Sequence, residues 1–296
     1  MKAIWVYENT KGLDSFYSRF NTTLFIASVC LWKKYHPSHK TVIYLDTMTY
    51  NKFLPLDIFY LWDEVKPLEY NERINRDQLW SGCKSKIVSQ ATEPFVIIDH
   101  DFLIFKNIDE HLDDSIIYSY DEDMSSWYIN PWDEHNKRLT NPIEFHQNQA
   151  ANVSLLYIPD PAFAQRYGQR VIQNHTEFTQ LVGKNIHSGY LTISEQYMLK
   201  DWLVKENIKH KTLSKNIFCC KSYEYSQDLN DIGIWDLEET KKYYFHYGVN
   251  KRNVLDNHSK FRYDETIQYL YRCINASKLI NIEYLNDKLT RFIYNR

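Results

Sequence analysis

Apolar positions along the chain come in two rhythms. Short runs such as "AIWVYE" near the start, "KTVIYLD" at 40–46 and "PFVIIDHDFLIF" at 94–105 are dense in β-branched and aromatic residues and read as strands. Between them the apolar residues spread to helical spacing. "NTTLFIASVCLWKKYHP" at 21–37 predicts a helix with Asn21 or Thr22 as N-cap and Pro37 as a stop, and "YNKFLPLDIFYLW" is partly helical. "DEVKPLE" fits a short third strand, and "QLWSGCKSKIVSQAT" puts Leu79, Cys83 and Ile87 on one helical face. Strands alternating with helices imply a mostly parallel sheet with helices on both faces, and the most apolar strand, 94–105, belongs at its centre.

The second half is less regular. "SIIYSYDED" and "ANVSLLYIPD" read as strands, "DPAFAQRYGQRVIQN" and "SEQYMLKDWLVKEN" as helices, and the tail from 263 to 296 as two amphipathic helices. Residues 121–149 form a long polar and aromatic stretch, and its Trp127, Tyr128 and Trp132 point to an ordered loop with a role. Those rings suit either a sugar-binding platform or an anchor for the loop. Trp80 fits core packing. No repeat or linker is visible, so a single compact unit is expected.

Composition narrows the classes. Of 296 residues, 44% are hydrophobic and 16% aromatic, enough for a large core. A net charge of −3 gives no basic excess, which disfavours nucleic acid as a partner. The five cysteines (Cys30, Cys83, Cys219, Cys220, Cys273) lack metal-ligand spacing, and the expectation is a reduced, cytoplasmic chain. No apolar run reaches the roughly 18 residues of a membrane span. The last helix, with Leu279, Ile282, Leu285, Leu289 and Phe292 beside Lys288 and Arg291, fits packing on the body, and peripheral membrane contact is the alternative.

The chemistry concentrates at Asp99-His100-Asp101, set between Phe95–Ile98 and Phe102–Phe105. Unpaired carboxylates dragged into an apolar setting cost several kcal/mol each. The segment reads as extended, where residues i and i+2 point to the same side, so Asp99 and Asp101 face together and His100 faces away. Two carboxylates so close repel, and a divalent cation removes the penalty; oxygen ligands suit Mn²⁺ or Mg²⁺. The plain alternative is a strand end whose aspartates cap a turn and pair with Lys106 or an arginine. Further on, "YYFHYGVNKRN" offers His246 to complete a coordination shell, Gly248 for close backbone approach to a phosphate and Lys251 to neutralise it.

These motifs in this order resemble the GT-A-fold nucleotide-sugar glycosyltransferases of the D-x-D type. "LWSGCKSKIVSQATEPFVIIDHDFLIFK" is similar to a largely uncharacterised bacterial family of glycosyltransferases, and more distantly the chain resembles the glycogenin and galactosyltransferase-like group. The resemblance covers about residues 1–255. It implies a GT-A (Rossmann-like) α/β fold, with a mostly parallel central sheet flanked by helices in residues 1–255 and a C-terminal helical extension in 256–296. It implies transfer of a sugar from a nucleoside-diphosphate sugar to a carbohydrate-type acceptor, with Mn²⁺ or Mg²⁺ held by Asp99, Asp101 and His246. Asp99, Gly248, Lys251 and Lys86 would meet the nucleotide donor. Asn152, Glu195 and Gln196 would serve the acceptor and the reacting sugar. Departures from the pattern are specific: His246-x-Gly248-x-x-Lys251 is one residue shorter than the usual H-x-x-G-x-x-K. Glu195 stands where Asp is commoner and Ser154 where Gly is frequent. Both stereochemical outcomes stay open: Glu195 as base if the reaction inverts, Gln196 beneath the anomeric carbon if it retains. A sugar- or nucleotide-binding protein without catalysis is the rival reading. A DNA-modifying sugar transferase and a D-x-D phosphatase of the haloacid-dehalogenase type follow behind it.

Overall fold

The computed structural model describes residues 1–8, 19–69, 74, 79, 81–123, 133–144, 148–186, 189–213, 244–246 and 260–294. In chain order the elements begin with β1 (Lys2–Tyr7), α1 (Arg19–Tyr35), β2 (Lys40–Leu45), α2 (Thr47–Phe53), β3 (Glu64–Pro67) and α3 (Gly82–Ser89). Next come β4 (Phe95–Ile98), β5 (Phe102–Ile104), β6 (Ile116–Asp123), α4 (Glu134–Lys137), β7 (Gln149–Ile158), α5 (Pro161–Val182) and α6 (Gly189–Thr192). The chain closes with α7 (Met198–Lys205), β8 (His210–Thr212), β9 (Tyr244–His246), α8 (Lys260–Ser277) and α9 (Ile282–Tyr294). Seven of the strands belong to one mixed, mostly parallel sheet flanked by helices, the α/β class that the alternating rhythm implies.

The chain divides into two compact units, each assembled from separated segments: Met1–Pro67, Ile98–His111 and Asp228–Arg296 in the first, Leu68–Ile97 and Leu112–Gln227 in the second. Because the chain passes back and forth between units, no linker composition marks the division. The expected boundary at 255/256 lies outside the described residues.

In the first unit, β2 lies between β1 and β3, and both pairings are parallel. An aromatic core fills this unit: the Tyr7 ring stands 4.6 Å from Phe25 and 5.3 Å from Phe53, and Phe25 lies 4.9 Å from Trp62. The helix α1 starts at Arg19, so Asn21 and Thr22 are buried helical residues and not its cap. Tertiary anchoring overrides the local cap signal there. The Arg19 guanidinium donates to Tyr271 Oη on α8 (3.0 and 3.1 Å) and to Asn286 Oδ1 on α9 (2.5 Å), while Thr23 Oγ1 donates to the Arg19 carbonyl. The C-terminal helices thus belong to the first unit's packing. On α9, Leu285 and Leu289 are fully buried, whereas Leu279, which precedes the helix, is exposed.

In the second unit, β6 pairs antiparallel with β7 and parallel with β8, with a bulge between Tyr118 and Tyr120. All four residues of β4 are buried, as expected of a strand covered on both faces. Helix α5 begins at Pro161 with Asp160 accepting from Ala162 N as N-cap, and it crosses α3 closely. A Cβ on Gly168 would stand 2.5 Å from Ser89 N and 2.6 Å from Ser85 O, so only glycine allows that approach. Three of the five cysteines are described (Cys30, Cys83, Cys273), and all three are buried and outside any disulfide among the described residues. No described helix is long and apolar enough to cross a membrane.

Candidate functional site

The Asp99–Asp101 segment is not extended. The Phe102 amide donates to the Asp99 carbonyl (3.1 Å), closing a turn between β4 and β5. The same-side argument for alternating residues therefore does not apply, and the backbone takes the turn of the plain alternative. What the turn keeps is burial: Asp101 is only 5% exposed, deep for a carboxylate. His100 leaves the pair and sets its ring edge-on to Tyr7, 5.0 Å between centroids. The end of the turn is pinned from below. Trp5 Nε1 donates to Ser28 Oγ (3.0 Å), and Ser28 Oγ donates to the Phe102 carbonyl (2.7 Å).

The partner strand arrives from far along the chain. β9 pairs antiparallel with β5, and the register sets His246 opposite Phe102. Directly opposed residues in such a ladder have Cα atoms about 4.5–5.5 Å apart, so the backbone carries His246 to the residue that follows Asp101. Gly248 and Lys251 lie outside the described residues, as do Trp80, Trp127, Tyr128 and Trp132. Among the described residues no group of three or more His, Cys, Asp or Glu side chains is placed to hold a metal ion.

The second unit holds Asn152, Glu195, Gln196 and Lys86, of which Asn152 and Glu195 are buried. Asn152 (4% exposed) sits on β7 and donates from Nδ2 to Glu122 Oε1 on β6 (2.6 Å), while its Oδ1 accepts from Ser154 N and Oγ. Ser154 Oγ in turn meets Ser119 Oγ at 2.7 Å, and Ser119 occupies the bulge. Glu195 is 4% exposed and lies on a π-helical turn, Ile193–Tyr197, within the continuous helix 189–205; Gln196 sits beside it. Such turns are rare and often mark functional positions.

The two lysines of α3 differ in burial. Lys86 is partly exposed and pairs with Glu69 at 3.1 Å. Lys84 is buried: its Nζ donates to the Val153 carbonyl (2.7 Å) and lies 3.9 Å from Glu195 Oε1. Two residues on a helix are about 200° apart, so only one of these lysines can face inward. A helical projection places Lys84 within the stripe of Cys83, Ile87 and Val88, a signal the sequence carried and the reading passed over. Glu122 was also missed, and its place opposite Asn152 is set by strand register. A further closed set joins β6 to the helix after the π turn: Lys200 Nζ donates to Tyr118 Oη (2.7 Å) and pairs with Asp121 (2.9 Å), and Tyr118 Oη donates to Asp121 Oδ1 (2.7 Å). Burial and the Asp121 carboxylate push the Tyr118 phenol far above its usual range, so it stays a donor.

No protein-family model matches the chain, and no curated protein does. Among solved structures, the chain is similar to a galactosyltransferase, LgtC, determined in complex with donor and acceptor sugar analogs. The two share 10% identity at a TM-score of 0.43, over 77% of this chain and 79% of that one.

Proposed function

We propose that this chain is a glycosyltransferase that moves a sugar from a nucleoside-diphosphate donor to an acceptor hydroxyl with a divalent cation. The observation that carries the reading is the register that sets His246 opposite Phe102, next to the buried aspartate of the Asp99–Asp101 turn. That register brings the backbone of a histidine-bearing strand from far along the chain to the end of an acidic turn, a juxtaposition that suits a ligand-binding role.

In this reading Asp99 and Asp101 supply oxygen ligands, and His246 a nitrogen, to Mn²⁺ or Mg²⁺. The bound ion would act as a Lewis acid on the diphosphate leaving group. Gly248 and Lys251 follow on the same segment for the diphosphate itself. On the acceptor side, Glu195 is the carboxylate assigned to the hydroxyl proton, oriented by its buried lysine, and Asn152 with Glu122 supplies hydrogen-bonding groups for a polyhydroxyl ligand. Gln196 is kept for the reacting sugar. Lys84 joins the set, and Lys86 stays a nucleotide contact in the proposal.

A thermal-shift screen of UDP, GDP, CDP and their sugars, each with and without Mn²⁺, tests it. A ligand at 100 times its Kd stabilises the folded state by about 2.7 kcal/mol, a shift well within reach of the method. The expected result is a shift that needs both one nucleotide and Mn²⁺ and disappears in Asp101→Ala. No nucleotide shift in the wild type, with Asp101→Ala folded and responding to Mn²⁺ as the wild type does, overturns the reading. Binding without turnover would favour the sugar- or nucleotide-binding alternative.

A further inference from the structure

Glu195 owes its position to an irregular turn, and that turn has an identifiable support. In Ile193–Tyr197 the Met198 amide bonds to the Ile193 carbonyl, five residues back, and also to the Glu195 carbonyl. One extra residue in a helical turn rotates everything on one side of it by about 100° relative to the other.

The Glu195 carbonyl also accepts from Tyr167 Oη on α5 (3.1 Å). Two helical turns further along α5, Asn174 Nδ2 donates to Met198 Sδ (3.3 Å). Helix α5 therefore grips the π turn at its acidic residue and at its exit. Insertion of a side-chain donor into the carbonyl ladder is a known cause of helix distortion.

We propose that Tyr167 is a positioning residue: its hydroxyl holds the π turn and so directs Glu195 toward Lys84. Tyr167 is 2% exposed, and burial keeps its phenol protonated, hence a donor, across the accessible pH range. The consequence for turnover rests on the transferase reading above; the consequence for the backbone does not. A competing cause sits in the same turn, since Ser194 Oγ donates to the Tyr190 carbonyl (2.6 Å), a back-bond that bends helices by itself.

The test compares Tyr167→Phe, which removes one hydroxyl and keeps the ring, with Ser194→Ala. Hydrogen exchange is read residue by residue across 189–205. In Tyr167→Phe the amides of 193–198 should exchange about tenfold faster, with α5 and the strands of the second unit unchanged. Turnover should fall with donor KM unchanged, and conversion back to Tyr should restore both. The inference is overturned if exchange in the turn stays at the wild-type rate. It is equally overturned if exchange rises evenly over the unit, or if only Ser194→Ala releases the turn. Should the wild type turn over no nucleotide sugar, the transferase reading falls and the exchange result alone decides the role of Tyr167.

Discussion

Two deeply buried carboxylates, one in each unit, are delivered by different backbone devices. Asp101 comes on a four-residue turn between two short strands, closed by one amide and pinned through Ser28 to β1 and α1. Glu195 comes from inside a helix, on a turn one residue too long for α geometry, with Lys84 as its cation and Tyr167 on its carbonyl. A turn places an acid at the end of a strand wherever the flanking strands are apolar enough to be buried. A helix interior does so only when neighbouring elements compensate the broken ladder. The first turn is closed by its own backbone before β1 and α1 pin it, whereas the second breaks its own ladder and leans on α3 and α5, so the second should be more sensitive to changes at a distance.

The largest effect is expected at Lys84. Replacing it by Met leaves Glu195 buried without its cation, a change that costs about 3–5 kcal/mol when a buried pair loses one partner. Lys84→Met with Glu195→Gln should regain most of that loss, because both charges are then gone; chemical denaturation of the two variants measures it. If Lys84→Met alone is harmless, Glu195 does not depend on α3 and the contrast between the two acids fails.

Acid pH sharpens the contrast between the units. His175 in α5 is fully buried, neither ring nitrogen has a hydrogen-bond partner, and burial pushes its pKa down from 6.5 to about 3. His36 in the first unit is pushed down to about 4, mainly by burial, with Asp109 opposing. A histidine with a lowered folded pKa contributes stability that is present above about 6.5 and is lost as pH falls toward the folded value. Each such group adds a slope of about 1.4 kcal/mol per pH unit inside its window. The second unit's window extends lower, to about pH 3. Stability of His175→Leu measured from pH 7 to 4 should show a flatter acid limb than the wild type. An unchanged limb would mean that His175 is not held neutral.

The smallest effect belongs to Lys86. Its pair with the largely exposed Glu69 should contribute under about 0.5 kcal/mol, so Lys86→Ala should leave denaturant stability nearly unchanged. A rise in donor KM in that variant would support its assignment to the nucleotide; an unchanged KM would leave Lys84 as the one α3 lysine with a role.

Much of the architecture was legible because it is written in short-range periodicity. The strand runs at 40–46 and 94–98, the Asp160–Pro161 helix start and the paired C-terminal helices follow from local patterns that burial enforces. The failures have a common cause. Asn21 and Thr22 look like a cap until Arg19 is tied to Tyr271 and Asn286. Asp99 and Asp101 look extended because turns and strands share the same apolar flanks.

By itself, then, the sequence determined the α/β class, the order of most elements and the burial of an aspartate beside an apolar strand, since these depend on residues close together in the chain. Only tertiary structure decided the rest. The pairing of β9 with β5, the crossing at Gly168 and the π turn around Glu195 are each settled by residues distant in sequence. Such contacts are specified by packing and by the need to satisfy buried polar groups, and neither leaves a local period to read.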